Sequence, residues 1–540
     1  MSSTSTSSST SIATATSTAA TSTAATSTTA KTAITPLQVR LLLLTAAISS
    51  AVGLVLELLL VTQASYLVGD ATLATGVVVG TFLAAMGLGA WLSQFLATGP
   101  APLRLLLQAL LLVELLLSPI CLLGPLGLFA IFAADGPIWL AVVVLTLLVG
   151  GLGGMELPLV TRLLETQAQL RTALARALAL DYLGSLVGAL AFPLVLLPWL
   201  GLLPTAAVLA VVPVLCSALL CWCFPLLRRW RWPVSAVVPL VWLAGVLVAP
   251  LGDRIEDSLY EDPVVGRQQS RHQRIVLTRR RDDLRLYLDG NLQFSSLDEY
   301  RYHEALVHPA MARHGHPERV LLLGAGDGMA VREILRWPSV RRLDLVELDP
   351  AMLQLAQRHP FLRRLNQDSL NDPRVHLHLG DAFSLVRDMD GSYDVVIADF
   401  PDPSTAALAR LYSVGFYGRL LQRLAPDGQL VTQASTPFFT PKVLASIQAS
   451  LEQLPLQTHP YSVTVPSFGP WAFVLADRPG RERSFAALPF KGRWIDRRQL
   501  AGLFDLPRDF QPQPDEKILP NRLGRPVLAE YQRSGRWRDF

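Results

Sequence analysis

Residues 319–350 read RVLLLGAGDGMAVREILRWPSVRRLDLVELDP. An apolar run ends in three glycines at alternate positions, Gly324, Gly326 and Gly328. A helix-like stretch follows, and a second apolar run ends on Glu347. Strand, tight turn, helix and strand in that order make the βαβ unit of a doubly wound parallel sheet. The glycine turn lets backbone approach a ligand closely, and the helix behind it offers free N–H groups. Glu347 lies 19 positions after Gly328, where an acid can bind both hydroxyls of a ribose. Further on, VHLHLGDAF ends a third strand on Asp381, a place suited to reading an adenine amino group. Glycines, ribose acid and adenine acid in that order describe an adenosyl pocket. Asp327 inside the turn would repel a pyrophosphate and attract a sulfonium or an amine, which favours an S-adenosylmethionine-type ligand over a dinucleotide.

The next strand, YDVVIADF, runs into Asp399-Phe400-Pro401-Asp402-Pro403. Open α/β sheets bind their ligands at the carboxyl ends of strands, so two carboxylates three positions apart stand at the expected place. An alkyl amine, with a pKa near 10.4 like lysine, is mostly protonated at neutral pH. It must lose a proton before attacking carbon, and a buried carboxylate can take that proton. A second carboxylate can hold the far ammonium of a diamine. Upstream, RIVLT and LRLYLDGNLQFSS form a small β-hairpin unit with its turn at Asp289-Gly290. A helix is predicted from about Asp298 through EYRYHEALVHPAM.

The first half of the chain is of another kind. Hydrophobic residues make up 51% of the 540 and charged residues 17%, against about 25% charged in an ordinary soluble chain. Residues 1–36, nearly all Ser, Thr and Ala, predict a disordered tail. Residues 37–252 hold seven apolar runs, at about 40–63, 72–97, 104–133, 137–161, 176–202, 204–225 and 233–251, each near the roughly 20 residues a membrane helix needs. The fold class is therefore a multi-pass α-helical membrane domain, then a Rossmann-like (class I methyltransferase-like) α/β domain over 265–480, then a C-terminal extension over 481–540. In that extension RWIDRRQLAGLFDLP suggests a helix starting near Asp496, and no chemistry is assigned to it. Four cysteines, Cys121, Cys216, Cys221 and Cys223, all in apolar runs, read as small hydrophobes without metal spacing. A net charge of +4 predicts no nucleic-acid partner.

Lys31, Arg40, Arg104, Arg162, Arg171, Arg176, Arg228, Arg229 and Arg231 mark the start and every second loop, a cytoplasmic signature. Seven crossings would then put the second half outside. Yet Arg254, Arg267, Arg271 and Arg274 follow the last run. A cytoplasmic catalytic domain, where its substrates are made, is reconciled if one run does not cross; the last, with Pro233 and Pro239, is the candidate. Glu57, Glu114, Glu156 (in GGLGGMELP) and Asp181 lie inside the apolar runs and mark a functional position by default.

The motif series HQRIVL, LDGNLQFSSLDEYRYHEALVHPAM, VLLLGAGDGMAVREIL, LVELDP, GDAF, DVVIADFPDP and LYSVGFYGRLLQRLAPDGQLVTQ resembles the spermidine synthase (polyamine aminopropyltransferase) family over roughly 265–480. The membrane half, with ALDYLGSLVGALAFPLVLLPWLG, is similar to that of its membrane-bound bacterial members. The resemblance implies decarboxylated S-adenosylmethionine as co-substrate, putrescine or another polyamine as acceptor and methylthioadenosine as by-product. It calls for no metal or prosthetic group, the sulfonium being already a good leaving group, and it admits a homo-oligomer in the lipid bilayer of the cell membrane. By the same resemblance Gln273 and Ala406 contact the thioadenosine, Gly324, Gly326 and Glu347 hold the nucleoside, and Asp381 with Ala382 holds the adenine. Asp327 meets the aminopropyl amine, Tyr302 and His303 line the polyamine site, Asp399 accepts the proton and Asp402 anchors the diamine. Ala382 stands where the family commonly has glycine, Ala406 where it has proline, and VTVPSFGPWAF lacks a tyrosine usual near the diamine. The alternatives are an S-adenosylmethionine methyltransferase and a non-catalytic polyamine sensor or transporter; the acidic set Asp327, Asp399 and Asp402 argues against the first, an intact Asp399 against the second.

Overall fold

The computed structural model describes residues 34–68, 71–96, 102–165, 170–480 and 484–535. The tail expected over 1–36 falls almost wholly outside them, as does Lys31. Among the described residues seven helices are long and apolar enough to cross a membrane. They are built on α1 (Pro36–Val68), α2 (Ala71–Ser93), α3 (Pro102–Ala133), α4 (Ile138–Glu165), α5 (Leu170–Ala191, extended by a π turn at Phe192–Leu196), α6 (Leu202–Cys223) and α7 (Arg231–Asp257). Leu183, Leu186, Val187, Leu190, Trp199, Trp242 and Leu247 are exposed on their outer surface, an apolar belt of the kind that meets lipid rather than water. The last run, expected as the one that does not cross, is a continuous helix of 27 residues through Pro239. Its own Pro233 sits in the first turn, where a missing N–H costs nothing.

α7 runs straight into the second half. Arg274 grips Glu256 at its end (Nη2–Oε2 2.6 Å) and Arg267 grips Asp257 (2.7 Å). Two of the arginines read as a topology signal thus hold the domains together. The hairpin unit is a four-stranded antiparallel sheet, β1 (Val264–Gln269), β2 (Arg274–Arg280), β3 (Asp283–Leu288) and β4 (Asn291–Ser295). Its last turn is the expected Asp289-Gly290 pair, with φ of 49° and 80°, the left-handed pair a two-residue hairpin requires. Then come α8 (Glu299–His314), β5 (Arg319–Gly324), α9 (Met329–Leu335), β6 (Arg342–Glu347), β7 (Val375–Leu379), β8 (Tyr393–Asp399), β9 (Leu424–Gln433), β10 (Gln457–Val465) and β11 (Gly469–Asp477).

The main sheet has the order β10-β11-β9-β8-β5-β6-β7. β9 through β7 are parallel, as expected; β11 joins β9 antiparallel and β10 closes the edge as its hairpin partner, so the sheet is mixed rather than purely parallel. Val320, Leu321, Leu322 and Leu323 of β5 are fully buried, because helices cover both faces. Chain order reverses at β5, between β6 and β8, which opens the crevice where such sheets bind ligands. The C-terminal extension is part of this domain. Ile495 and Leu500 join one face's core and Leu528 the other's. Glu304 accepts hydrogen bonds from the backbone N–H groups of Arg493, Trp494 and Ile495 (2.6, 2.9 and 2.7 Å).

Candidate active site

A cavity of about 1250 Å³ opens at the carboxyl ends of β5, β6 and β8 and reaches the ends of the membrane helices. Local sequence explains its walls. Gly324 (φ 80°) pairs with Asp399 across β5 and β8, and a Cβ there would run into the Asp399 carbonyl oxygen. A Cβ on Gly326 would stand 2.7 Å from Glu347 Oε2, so only glycine lets the turn sit on that carboxylate. Asp327 points one oxygen at the Met329 N–H (2.8 Å). Glu347 is buried, accepts from the Asp349 N–H (2.9 Å), and burial pushes its carboxyl up to about 7.

Asp399 accepts the Tyr302 hydroxyl proton at 2.6 Å, and burial raises its carboxyl to about 6. Asp402 Oδ2 accepts from Ser435 Oγ and Gln532 Nε2, both at 3.0 Å, while its buried Oδ1 has no hydrogen-bond partner; burial brings it too to about 6. The loop between the two is clamped. Tyr412 donates to the carbonyls of Phe400 and Pro401 (3.0 Å each) and Gln433 to that of Phe400 (2.7 Å). His303 Nδ1 lies 2.9 Å from Glu299 Oε2, and Arg332 holds the same carboxylate. Burial works against a protonated His303, but Glu299 outweighs it and the pKa stands above the ordinary histidine range.

The cavity wall therefore unites Gln273, Tyr302, His303, Gly324, Gly326, Asp327, Glu347, Asp381, Ala382, Asp399 and Asp402. Two expected partners are otherwise engaged. Gln273 Nε2 donates to Asp349 (2.9 Å), and Asp381 pairs with Arg410 (3.0 Å) while capping the turn at Phe383. Ala406 needs correction: it is exposed and off the wall, and Thr405 and Leu408 line it instead. Thr405 caps a helical turn starting at Ala406, and that turn rotates the alanine outward. Sequence reasoning missed Ser435, Phe468, Trp471 and Gln532. Phe468 and Trp471 lie edge-on to Tyr302 (centroids 6.0 and 6.3 Å), on the very segment that lacks the usual tyrosine; an aromatic wall of this kind attracts a cation. Glu304, His308 and Glu333 cluster within metal-ligand distance. They are already committed: His308 to Glu333 and Trp337, Glu333 to Arg336, Glu304 to three backbone N–H groups.

Fold and cavity together define a Rossmann-like domain with a pocket at its strand ends, walled by carboxylates and aromatic rings. A Spermine/spermidine synthase domain model matches residues 299–479. Polyamine aminopropyltransferase 1 of Streptomyces coelicolor is 41% identical over 528 residues, covering 93% of this chain and 95% of its own. The Mycobacterium tuberculosis polyamine aminopropyltransferase is 39% identical over 92% and 96%, and that of Leptospira interrogans 36% over 91% and 97%. A solved spermidine synthase in complex with the transition-state analogue AdoDATO aligns with 45% of this chain and 85% of its own, at 26% identity and a TM-score of 0.43. The chain belongs to the polyamine aminopropyltransferase family.

Proposed function

We propose that this enzyme transfers the aminopropyl group of decarboxylated S-adenosylmethionine to putrescine, giving spermidine and methylthioadenosine. The observation that carries it is one cavity that Glu347, the glycine turn, Asp399 and Asp402 line together. Glu347 holds the ribose hydroxyls, Ala382 and Asp381 border the adenine, and Asp327 meets the ammonium of the donor's propyl arm. The far ammonium of putrescine sits on the free Oδ1 of Asp402, beside Trp471. Asp399 takes a proton from the near ammonium. The freed lone pair then attacks the propyl carbon next to sulfur, the C–S bond breaks, and its electron pair neutralises the sulfonium. Positioning and deprotonation supply the rate. Purified protein given decarboxylated S-adenosylmethionine and a panel of amines should release spermidine and methylthioadenosine with putrescine. Methyl transfer from ordinary S-adenosylmethionine instead would replace this reading.

The raised carboxyl groups set a pH dependence. Glu347 (about 7), Asp399 and Asp402 (about 6) must all be ionised to work. Activity is therefore present above these values and is lost as pH falls through 7 to 6. The profile of kcat/KM, which reports the free enzyme, should fall on its acid side more steeply than one proton allows. In kcat the limb should shift to lower pH, since bound cations favour the ionised carboxylates. A shallow one-proton limb below pH 5 would contradict the assignment. Gln532→Ala should raise KM for putrescine roughly 10-fold or more, the worth of about 1.5–3 kcal/mol for a hydrogen bond to a charged group, and leave KM for the donor unchanged.

The catalytic domain is proposed to face the cytoplasm, where a nucleoside donor of this kind is made. With seven crossings the arginine-marked loops then face outward, against the usual charge bias. A Ser534→Cys variant should react with a membrane-impermeant maleimide only after the membrane is opened; labelling of intact cells would reverse the placement.

A further inference from the structure

We propose that the last turn of helix α7 positions the donor-binding part of the active site, with Glu256 and Arg274 as the positioning pair. The role of Glu347 toward the donor rests on the function proposed above. The path of contacts that reaches Glu347 from α7 does not.

The hairpin of β1 and β2 stands between α7 and Glu347. Its strands are joined by Ser270–Gln273, a turn closed by the Ser270 N–H on the Gln273 carbonyl (3.0 Å). Ser270 Oγ shapes the turn by accepting the N–H groups of His272 and Gln273 (3.0 Å each). From that turn Ser270 Oγ and Gln273 Nε2 both donate to Asp349 Oδ2 (2.7 and 2.9 Å). Asp349 is 2% exposed, so these donors replace water on its carboxylate. Its Oδ1 accepts the Ala351 N–H (3.0 Å) and caps helix Pro350–Arg358. Its own N–H donates to Glu347 Oε1 (2.9 Å). Glu347 is thereby held by one oxygen, while Oε2 lies beside Gly326 of the glycine turn.

Both strands of the hairpin are tied to α7. Arg274, the first residue of β2, aims two nitrogens at Glu256 (Nε–Oε1 3.0 Å, Nη2–Oε2 2.6 Å). Arg267 of β1 aims Nη2 at both oxygens of Asp257 (2.7 and 3.0 Å). A two-pronged contact between guanidinium and carboxylate fixes direction as well as distance. The two pairs differ in enclosure. The Arg274 and Glu256 side chains are 20% and 13% exposed, those of Arg267 and Asp257 27% and 39%. Exposed pairs are screened by water and contribute little. Glu256 and Arg274 are therefore the pair that sets position.

Glu256, Ser270, Gln273, Arg274, Glu347 and Asp349 all line the one cavity, so the path of contacts borders the space a ligand would fill. Arg274 follows Gln273 directly in sequence and pairs with Gln269 across the hairpin. A shift of Arg274 therefore carries the turn with it, and the turn carries the two donors on Asp349. The carboxylates assigned to the acceptor are held from elsewhere: Asp399 by Tyr302 of α8, Asp402 by Ser435 and Gln532. Loosening the contact with α7 should therefore weaken the hold on the donor and spare that on the acceptor.

The test is steady-state kinetics of the full chain in lipid nanodiscs, varying decarboxylated S-adenosylmethionine and putrescine in turn, beside equilibrium binding of methylthioadenosine. Glu256→Gln should raise KM for the donor and Kd for methylthioadenosine roughly 10-fold, the scale of a weakened hydrogen bond to a charged group, and leave kcat and KM for putrescine near the parent's. Arg274→Lys keeps the charge and loses the two-pronged grip; it should do the same, and it tests the contact if Glu256→Gln does not fold. Asp257→Asn, at the exposed pair, should change either KM less than about twofold. Ser270→Ala should raise KM for the donor as well, and adding Glu256→Gln to it should add little, because both cut one path. The proposal fails if Glu256→Gln and Arg274→Lys leave donor KM and methylthioadenosine binding at the parent's values. It fails too if they raise both KM values alike, or if Ser270→Ala and Glu256→Gln add in full. A parent chain that binds methylthioadenosine but makes no aminopropyl product would overturn the function proposed above, and the binding measurements would still decide this inference.

Discussion

Replacing Asp399 by Asn should lower kcat about 10²- to 10⁴-fold, the usual worth of a positioned general base, with KM for both substrates changed far less. Asn keeps the shape at the end of β8, and its amide oxygen can still accept the Tyr302 hydroxyl, which now stands 2.6 Å from the carboxylate. The clamp by Tyr412 and Gln433 on the neighbouring carbonyls is untouched. What is lost, in the proposed mechanism, is the acceptor for the amine's proton. A protonated amine has no lone pair, so the variant must wait for the small fraction of free amine that water provides. That fraction rises tenfold per pH unit up to a pKa near 10.4. Residual activity should therefore climb with pH where the parent's acid limb has already levelled. Initial rates of methylthioadenosine release across pH would show it. If the variant keeps most of the parent's rate at neutral pH, or if its residual rate is flat with pH, Asp399 is not the base. Asp402→Asn should behave differently: its main effect falls on KM for putrescine, because in the proposed mechanism it binds the far ammonium and no proton moves there.

The places of residues at strand ends were legible from sequence. Gly324, Glu347, Asp381 and Asp399 each end a short apolar run, and period and turn chemistry fix the place where a strand stops. The strand order then brings β5, β6, β7 and β8 side by side, so local reading became a spatial one. Other features depend on packing between distant segments. Gln532 reaches Asp402 across 130 positions, and nothing in QRSGRWR announces that. Trp471 stands near Tyr302 because β11 inserts antiparallel beside β9; an apolar run does not state its direction. Ala406 was misplaced because a single helical turn decides whether residue 405 or 406 faces the cavity. Arg267 and Arg274 were read as a topology signal because their partners, Asp257 and Glu256, end a helix that was read only for its hydrophobicity. Ala406 apart, where a local turn decides, the missing term was an interaction between separate elements, which residue pattern alone does not carry.

Gly324→Ala should cost both stability and catalysis, for two separable reasons. At φ 80° any L side chain is strained, by roughly 1–2 kcal/mol. In addition the new Cβ would collide with the Asp399 carbonyl oxygen, a backbone atom that cannot rotate away. Relief requires β5 and β8 to separate where Gly324 pairs with Asp399. That motion moves Asp399, the proposed base, at the end of β8 and the turn carrying Gly326 and Asp327 at the end of β5. A displacement of about 1 Å can cost 10²-fold in rate, so kcat/KM should fall by about that factor or more. Gly290→Ala isolates the first effect. Gly290 has the same φ of 80°, in the β3–β4 hairpin, with open space around its Cβ position. It should lower Tm by the strain alone and leave kcat/KM near the parent's. Thermal unfolding and initial rates on the two variants, side by side, separate the effects. Equal loss of Tm with equal, near-parental activity would mean that the contact between Gly324 and Asp399 does not position the base. A selective loss of activity in Gly324→Ala would mean that a glycine read first as a nucleoside-binding turn also sets the place of the catalytic carboxylate, one strand away.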